Sequence, residues 1–258
     1  MVHLTLNGKI VQAREGEVLL SVIRREGISI PATCHHESVE AFGACRLCTV
    51  EITKKEWNGW KDYVTSCLYP VQNDLIVDTH SPAVVELRRT LIDLQLARCP
   101  NSPEIRQMAE EYGITTTSYE ERPDGDNCIL CGLCTRICDR MGFAAISTVG
   151  RGYGRRVAPP LDEPPPDCVG CLACALNCPT KVIPYVDKGT TRVIWTKQFE
   201  LMTCTGCGRT TITRDFAKSL GESRQISLQY FEKCDDCHRR ELSQTMTRIV
   251  SWQREEKP

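Results

Sequence analysis

Eight cysteines between Cys128 and Cys178 constrain this chain more than any other feature. They read C-IL-C-GL-C-TRI-C over 128–138 and C-VG-C-LA-C-ALN-C-P over 168–179. Both runs have the spacing C-x2-C-x2-C-x3-C. Four thiols at gaps of two and three residues cannot all pair as disulfides with sensible geometry. They can wrap a cubane of iron and sulfide, because short loops hold three thiolates on one concave surface. Two runs imply two [4Fe–4S] clusters. Where such runs are doubled, the fourth cysteine of each ligates the other cluster. The expected ligand sets are therefore Cys128, Cys131, Cys134 and Cys178 for one cluster, and Cys138, Cys168, Cys171 and Cys174 for the other. A pair of zinc sites, or unpaired core cysteines, is the alternative. The doubled four-cysteine run, with Pro179 after the last Cys, argues against it.

The chain has 258 residues, a length that ordinarily suggests about two domains. Its 17 cysteines, four groups of four and one over, point instead to several small units. Metal-stapled modules need little hydrophobic core, and the 6% aromatic content fits this. Met1-Val2-His3-Leu4 opens directly onto a strand pattern, without the features of a secretory signal. No apolar run approaches membrane-spanning length. The expectation is a cytoplasmic protein with its thiols reduced and metallated. A formal net charge of −1 gives no global case for nucleic acid or an acidic membrane surface.

At the N-terminus Val2, Leu4 and Leu6 alternate, Asn7-Gly8 turns the chain, and Ile10 follows, a hairpin signal. VLLSVIRREGI then has helical spacing, with Gly27 as the stop. A cysteine loop comes next, Cys34-x10-Cys45-x2-Cys48-x18-Cys67. Four thiolates with one close pair suit a [2Fe–2S] rhomb, two ligands per iron, with zinc as the alternative. Small residues around Gly43-Ala44 let backbone N–H groups approach the sulfurs. His35 and His36 read as a solvent-exposed loop pair, because four cysteines already complete the set. Strand, strand, helix and cysteine loop is the order of a β-grasp ferredoxin.

This arrangement resembles the [2Fe–2S] domain at the N-terminus of the large iron–sulfur subunit of respiratory complex I. It also resembles the diaphorase small subunit of NAD-reducing hydrogenases and the N-terminal part of some iron-only hydrogenases. The resemblance covers residues 1–100 and 128–185. It departs before Cys67, where residues 54–62 read as a hairpin insertion tipped by Asn58-Gly59. It departs again after the helix expected over 82–98, whose apolar stripe is Val85, Leu87, Leu91, Leu94 and Leu96. The family carries there a one-His, three-Cys site of the form H-x3-C-x2-C-x5-C. This chain keeps only Cys99, and His80 lies too far upstream to stand in. One thiolate cannot hold a cubane, so Cys99 is expected to be structural.

A short helix over 103–112 and a polar linker over 115–127 lead into the doubled run. Between its halves lie Gly150-Arg151-Gly152-Tyr153-Gly154 and two proline clusters, a loop without the context of a nucleotide site. After Cys178-Pro179, residues 181–184 resemble the closing strand of ferredoxins. The last module holds two knuckles, Cys204-x2-Cys207 and Cys234-x2-Cys237. Two separated C-x2-C knuckles are a signature of a four-cysteine zinc site, and a third [4Fe–4S] cluster is the rival. A helix is expected over 213–222, and an amphipathic docking helix over 241–253 with a charged tail after it.

The expected fold class is α+β: a β-grasp [2Fe–2S] domain over 1–79, a helical connector and linker over 80–127, a bacterial-type 2[4Fe–4S] ferredoxin domain over 128–195, and a zinc-ribbon-like or Fe–S module over 196–258. No catalytic constellation stands out, and no flavin, pterin or nucleotide motif is present. The resemblance implies an electron-transfer subunit between a flavin/NAD(P)H-binding subunit and a separate catalytic subunit of hydrogenase or formate dehydrogenase type. The alternative is an Fe–S redox sensor whose zinc-bearing C-terminus binds a partner.

Overall fold

The computed structural model describes residues 1–122 and 125–255, with side chains placed as far as residue 246. Strands β1 (Val2–Leu6) and β2 (Lys9–Ala13) pair antiparallel. Asn7 and Gly8 turn between them at φ 50° and 83°, the left-handed pair that a two-residue hairpin favours. Helix α1 (Leu19–Arg25) buries Leu19, Leu20, Val22 and Ile23. Strands β3 (Thr49–Thr53), β4 (Asp62–Thr65) and β5 (Leu75–Asp78) complete a five-stranded mixed sheet in the order β2-β1-β5-β3-β4. The β1–β5 pair is parallel and the others are antiparallel. Leu4, Leu6, Val50, Ile52, Leu75 and Val77 form one core with the apolar side of α1. The insertion between β3 and β4 turns at Asn58-Gly59, with Trp57 and Trp60 edge to face at 5.1 Å.

Helix α2 (Pro82–Arg98) is rotated from the face its leucines suggest. Its buried side is Val84, Arg88, Ile92 and Leu96, at steps of four, while Leu87 and Leu94 stand exposed. The reason is Arg88, which is fully buried and donates to the carbonyls of Leu47 (2.9 Å) and Thr49 (2.8 Å). Those two oxygens flank Cys48, and satisfying them turns the helix. Helix α3 (Pro103–Glu111) starts at Ser102, whose hydroxyl accepts from the Ile105 N–H. It packs on α2 around Ile92, Leu96, Cys99, Ile105 and Ala109.

Helices α4 (Leu133–Arg140) and α5 (Ala173–Leu176) repeat one device. Each follows a residue with left-handed φ, Gly132 at 71° and Leu172 at 64°. The turn brings the second and third cysteines of each run to one side. Strands β6 (Ser147–Val149) and β7 (Arg156–Ala158) make a hairpin between the two runs. Strands β8 (Tyr185–Lys188), β9 (Thr191–Ile194), β10 (Lys197–Thr203) and β11 (Thr210–Thr213) form an antiparallel sheet in the order β11-β10-β9-β8. The strand resembling a ferredoxin's closing strand begins at Tyr185, after Pro184, not at 181. The 195/196 boundary falls at the turn between β9 and β10, so a single sheet continues across it. Helix α6 (Arg214–Arg224) is capped by Thr213, and helix α7 (Asp235–Glu255) follows the last knuckle. The side chains expected to make a docking face beyond 246, and the charged tail over 256–258, lie outside the described residues. Among the described residues, no helix is long and apolar enough to cross a membrane.

Candidate metal centres

The first cysteine loop brings its thiols together in two pairs. Cys34 hydrogen-bonds with Cys45, and Cys48 with Cys67. Cys34, Cys48 and Cys67 are buried, and Cys45 is half-buried. The thiol contact with Cys34 holds Cys45 down at about 5, and that with Cys67 holds Cys48 down at about 6. Their partners are pushed well up. Two pairs of sulfurs are a donor set that suits two irons with two ligands each. The Cys45 N–H also donates to Cys34 Sγ at 3.4 Å. Gly43 has φ 65°, the left-handed conformation that favours glycine. His35 and His36 are half-buried rather than exposed, and His36 Nδ1 accepts from the Ser38 N–H at 3.1 Å.

The eight cysteines of the doubled run line two cavities. Cys128, Cys131, Cys134 and Cys178 line one, with Ile129, Pro179 and Ile183. Cys138, Cys168, Cys171 and Cys174 line the other, with Ile146, Leu172 and Ile194. The fourth cysteine of each run therefore faces the other run's cavity. Burial pushes Cys131 up to about 11, and Cys134 and Cys174 up to about 12. Buried thiols of that kind keep their protons until a metal binds the sulfur and the proton is released to solvent, which suits iron–sulfur ligation. Ala145 N–H donates to Cys138 Sγ at 3.3 Å.

Basic side chains that the spacing did not single out hold these loops. Arg192 donates to the Gly170 carbonyl (3.0 Å) and pairs through two bonds with Asp187 (2.7 Å each). Lys197 Nζ donates to the carbonyls of Pro165, Pro166 and Cys168, at 3.0, 2.7 and 2.8 Å. Gly170 has φ 67°, and a Cβ there would stand 2.8 Å from the Phe199 ring. The β9–β10 hairpin thereby clamps the second cysteine loop. Lys and Arg on a strand carry no sequence signal for such contacts.

The C-terminal knuckles close on one point. The sulfurs of Cys204, Cys207, Cys234 and Cys237 all lie within 4.8 Å of one another, and Cys207 Sγ is 3.7 Å from Cys234 Sγ. Tetrahedral zinc with Zn–S bonds of about 2.3 Å places its sulfurs about 3.8 Å apart. A cubane carries each thiolate one bond beyond an iron at its corner, so its sulfurs stand on a wider tetrahedron. The Cys234 N–H donates to Cys204 Sγ at 3.2 Å, and this holds the Cys204 thiol down at about 6. A Cβ at Gly206 would sit 3.0 Å from Cys237 Sγ, so the knuckle packs closely at this glycine.

Cys99 is fully buried among Leu47, Ile92, Leu96 and Ile105. Burial pushes its thiol up to about 12. It packs as a small apolar residue.

The centres are not equally spaced in the packing. Cys34 and Cys45 share an apolar cluster with Cys131, Leu133 and Ile137. Cys134 and Cys174 share the next, with Cys138, Cys168 and Cys178 against it. Cys204, Cys234 and Cys237 form a separate cluster. Residues 1–82 match the family described as a 2Fe-2S iron-sulfur cluster binding domain. The N-terminal third is a [2Fe–2S] ferredoxin-type domain.

Curated relatives extend the likeness into the doubled run. The chain is 28% identical over 212 residues to the NADP-reducing hydrogenase subunit HndD of Solidesulfovibrio fructosivorans, covering 70% of this chain and 35% of that one. It is 28% identical over 216 residues to the NADPH-Fe(3+) oxidoreductase subunit alpha of Geobacter sulfurreducens, covering 73% of this chain and 25% of that one. It is 27% identical over 188 residues to the mitochondrial NADH-ubiquinone oxidoreductase 78 kDa subunit of Neurospora crassa, covering 63% and 25%. The chain thus spans between a quarter and about a third of the length of these relatives. A chain in the crystal structure of NAD+-reducing [NiFe]-hydrogenase in the H2-reduced state superposes with a TM-score of 0.53 at 28% identity. That match covers 62% of this chain and 75% of the other. The chain resembles the iron–sulfur subunits of complex I and of NAD(P)-linked hydrogenases.

Proposed function

We propose that this chain is an electron-relay subunit of an NAD(P)-linked oxidoreductase complex. Clusters bound at the first three cysteine sites would exchange single electrons. The chain's own work is to hold those sites close, bury them and set their potentials. The observation that carries the reading is the packing of Cys34 and Cys45 with Cys131 in one apolar cluster, and of Cys134 with Cys174 in another. Ligands of three sites meet through shared apolar side chains that exclude water. The assignment is [2Fe–2S] on Cys34, Cys45, Cys48 and Cys67, one [4Fe–4S] on Cys128, Cys131, Cys134 and Cys178, and a second on Cys138, Cys168, Cys171 and Cys174.

The fourth site takes structural zinc on Cys204, Cys207, Cys234 and Cys237, because its sulfurs stand at the spacing of a tetrahedral ion. The partners are a flavin/NAD(P)H-binding subunit and a catalytic subunit of hydrogenase type, following the names of the relatives. The four units proposed at the outset remain the working division, with the sheet of β8–β11 joining the last two.

Anaerobic purification with metal analysis and EPR tests the reading. About ten irons and one zinc per chain are expected. Fewer than about ten irons, or no coupled cubane signals on reduction, would overturn the three-site relay. About fourteen irons without zinc would overturn only the zinc assignment.

A further inference from the structure

At each of the first three cysteine sites, the first cysteine's carbonyl accepts from a basic side chain brought in from elsewhere. Arg136 donates to the Cys34 carbonyl at 2.6 Å, Arg98 Nε to that of Cys128 at 2.6 Å, and Lys197 Nζ to that of Cys168 at 2.8 Å. Three different elements supply them: helix α4, the last turn of α2 and the start of β10. Donor and acceptor stand 102, 30 and 29 residues apart, so no local turn brings them together. All three basic residues are half-buried. Among the described residues none of the three makes an ion pair. Their further bonds also go to carbonyls, those of Arg155, Glu40 and Pro166 among them.

The fourth site is arranged otherwise. The Cys204 carbonyl accepts from the Gly208 N–H at 2.8 Å, a bond within its own knuckle. Arg209, Lys233 and Arg239 line a cavity with Cys234. Each of them is paired off: Arg209 and Arg239 with Asp236, at 2.9 and 3.0 Å, and Lys233 with Glu241 at 2.6 Å.

The contrast follows the chemistry of the two kinds of centre. A cluster held by four thiolates is an anion, and each electron it takes up adds to that charge. Zinc has no redox chemistry, so its site keeps one charge. A cation fixed beside a centre favours the more negative state and so raises the potential. A guanidinium or ammonium bonded only to neutral carbonyls keeps its charge for that task.

We propose that Arg98, Arg136 and Lys197 compensate charge in the relay, each holding the centre on the loop it caps at a higher potential than an uncharged donor would. This deepens, and rests on, the relay reading above. The three are positioning residues: they touch the ligand loops and act on the electron through their charge.

The test is an anaerobic redox titration followed by EPR on the full, loaded chain and on single variants. Arg98→Gln and Lys197→Gln keep an amide donor and remove the charge, whereas Arg98→Lys keeps the charge. Arg98→Gln should bind the same iron as wild type. Its reduction of one cubane should weaken about tenfold, a fall of about 59 mV for a one-electron couple. Lys197→Gln should lower the other cubane, and Arg136→Gln the [2Fe–2S] centre. Arg98→Lys should stay near wild type, and Lys233→Gln, beside the fourth site, should move none of the three midpoints. Midpoints that stay put in the glutamine variants, or that fall equally in Arg98→Lys, would overturn the proposal. Loss of a cubane from Arg98→Gln or Lys197→Gln would also overturn it, by making the side chain a holding residue. Wild-type protein without the three centres would overturn the reading beneath it, which is a different result.

Discussion

The Arg136 guanidinium donates to the Cys34 carbonyl at 2.6 Å, joining two cysteine sites 102 residues apart in the chain. Arg136 lies on α4 between Cys134 and Cys138. Its other Nη donates to the Glu40 carbonyl at 2.7 Å, and its Nε reaches back to Gly132 at 3.3 Å. The Phe42 ring covers it, with the guanidinium carbon 4.9 Å from the ring centre. One planar cation thus fixes the first cysteine loop against helix α4, which carries Cys134 and Cys138.

Removing this strut should loosen the joint without emptying either site. Hydrogen bonds from a charged donor are each worth roughly 1.5–3 kcal/mol, so Arg136→Ala should lose about 2–4 kcal/mol of stability. Arg136→Lys should recover part of this, because a lysine keeps the charge but not the fork. Anaerobic denaturant unfolding measures the stability. EPR of the reduced protein should show weaker magnetic interaction between the [2Fe–2S] centre and the nearer cubane. An unchanged interaction in Arg136→Ala would mean that apolar packing around Cys131 alone sets the approach.

Arg88 should matter more, because nothing replaces it. It is fully buried, and its two donated bonds satisfy the carbonyls of Leu47 and Thr49 on either side of Cys48. Arg88→Ala leaves those oxygens without a partner and should cost roughly 3–5 kcal/mol, the scale for breaking a buried charged network. The expected signature is selective: about two irons lost per chain, the [2Fe–2S] signal gone, both cubane signals kept. Iron analysis beside EPR reads this directly.

The cysteine runs were legible because ligand geometry forces short, fixed gaps, which survive any change in the surrounding residues. The doubled run therefore suggested crossed ligand sets, and the two cavities are lined by the same two groups of four cysteines. Helix α2 was legible as a helix but not in its orientation. Hydropathy turns Leu87 and Leu94 inward, whereas the unsatisfied carbonyls of the cysteine loop call for Arg88. Trp195-Thr196 left no turn signal at all, since neither residue favours positive φ. Hydrogen-bond demand from backbone groups distant in sequence is invisible to local pattern, and Arg136, Arg192 and Lys197 answer the same demand.

Arg192 gives a prediction with a pH sign. It is nearly buried, and its bidentate bonds hold the Asp187 carboxyl below the usual carboxylate range. A depressed folded-state pKa contributes stability that is present above the unfolded value of about 3.9 and is lost as pH falls through the folded value. Asp187→Asn should therefore lower the unfolding midpoint by a constant amount from pH 8 to about pH 5, where the wild-type carboxyl stays ionised. The gap should close only in stronger acid. Asp187 is partly exposed, so the effect should be modest, about 1 kcal/mol or less. A gap that varies between pH 6 and pH 8 would assign the effect to another group.

The C-terminal site offers the sharpest separation between holding and relaying. Its cysteines cluster apart from the others, and the apolar core beside them is small, built on Met202, Ala217 and Phe231. Zinc bound as proposed would supply much of the local stability, since structural zinc can contribute on the order of 10 kcal/mol. Cys207 is the exposed member of the set, so a chelator has access from its side. Chelation, or Cys207→Ser, should release about one zinc and speed amide exchange over 204–240. The [2Fe–2S] and cubane signals should stay unchanged, because no ligand of theirs belongs to this cluster. If Cys207→Ser instead lost about four irons and a cubane signal, the site would hold an iron–sulfur centre. The relay would then extend past β11, and the 3.7 Å approach of Cys207 to Cys234 would have to open when the cluster is built in.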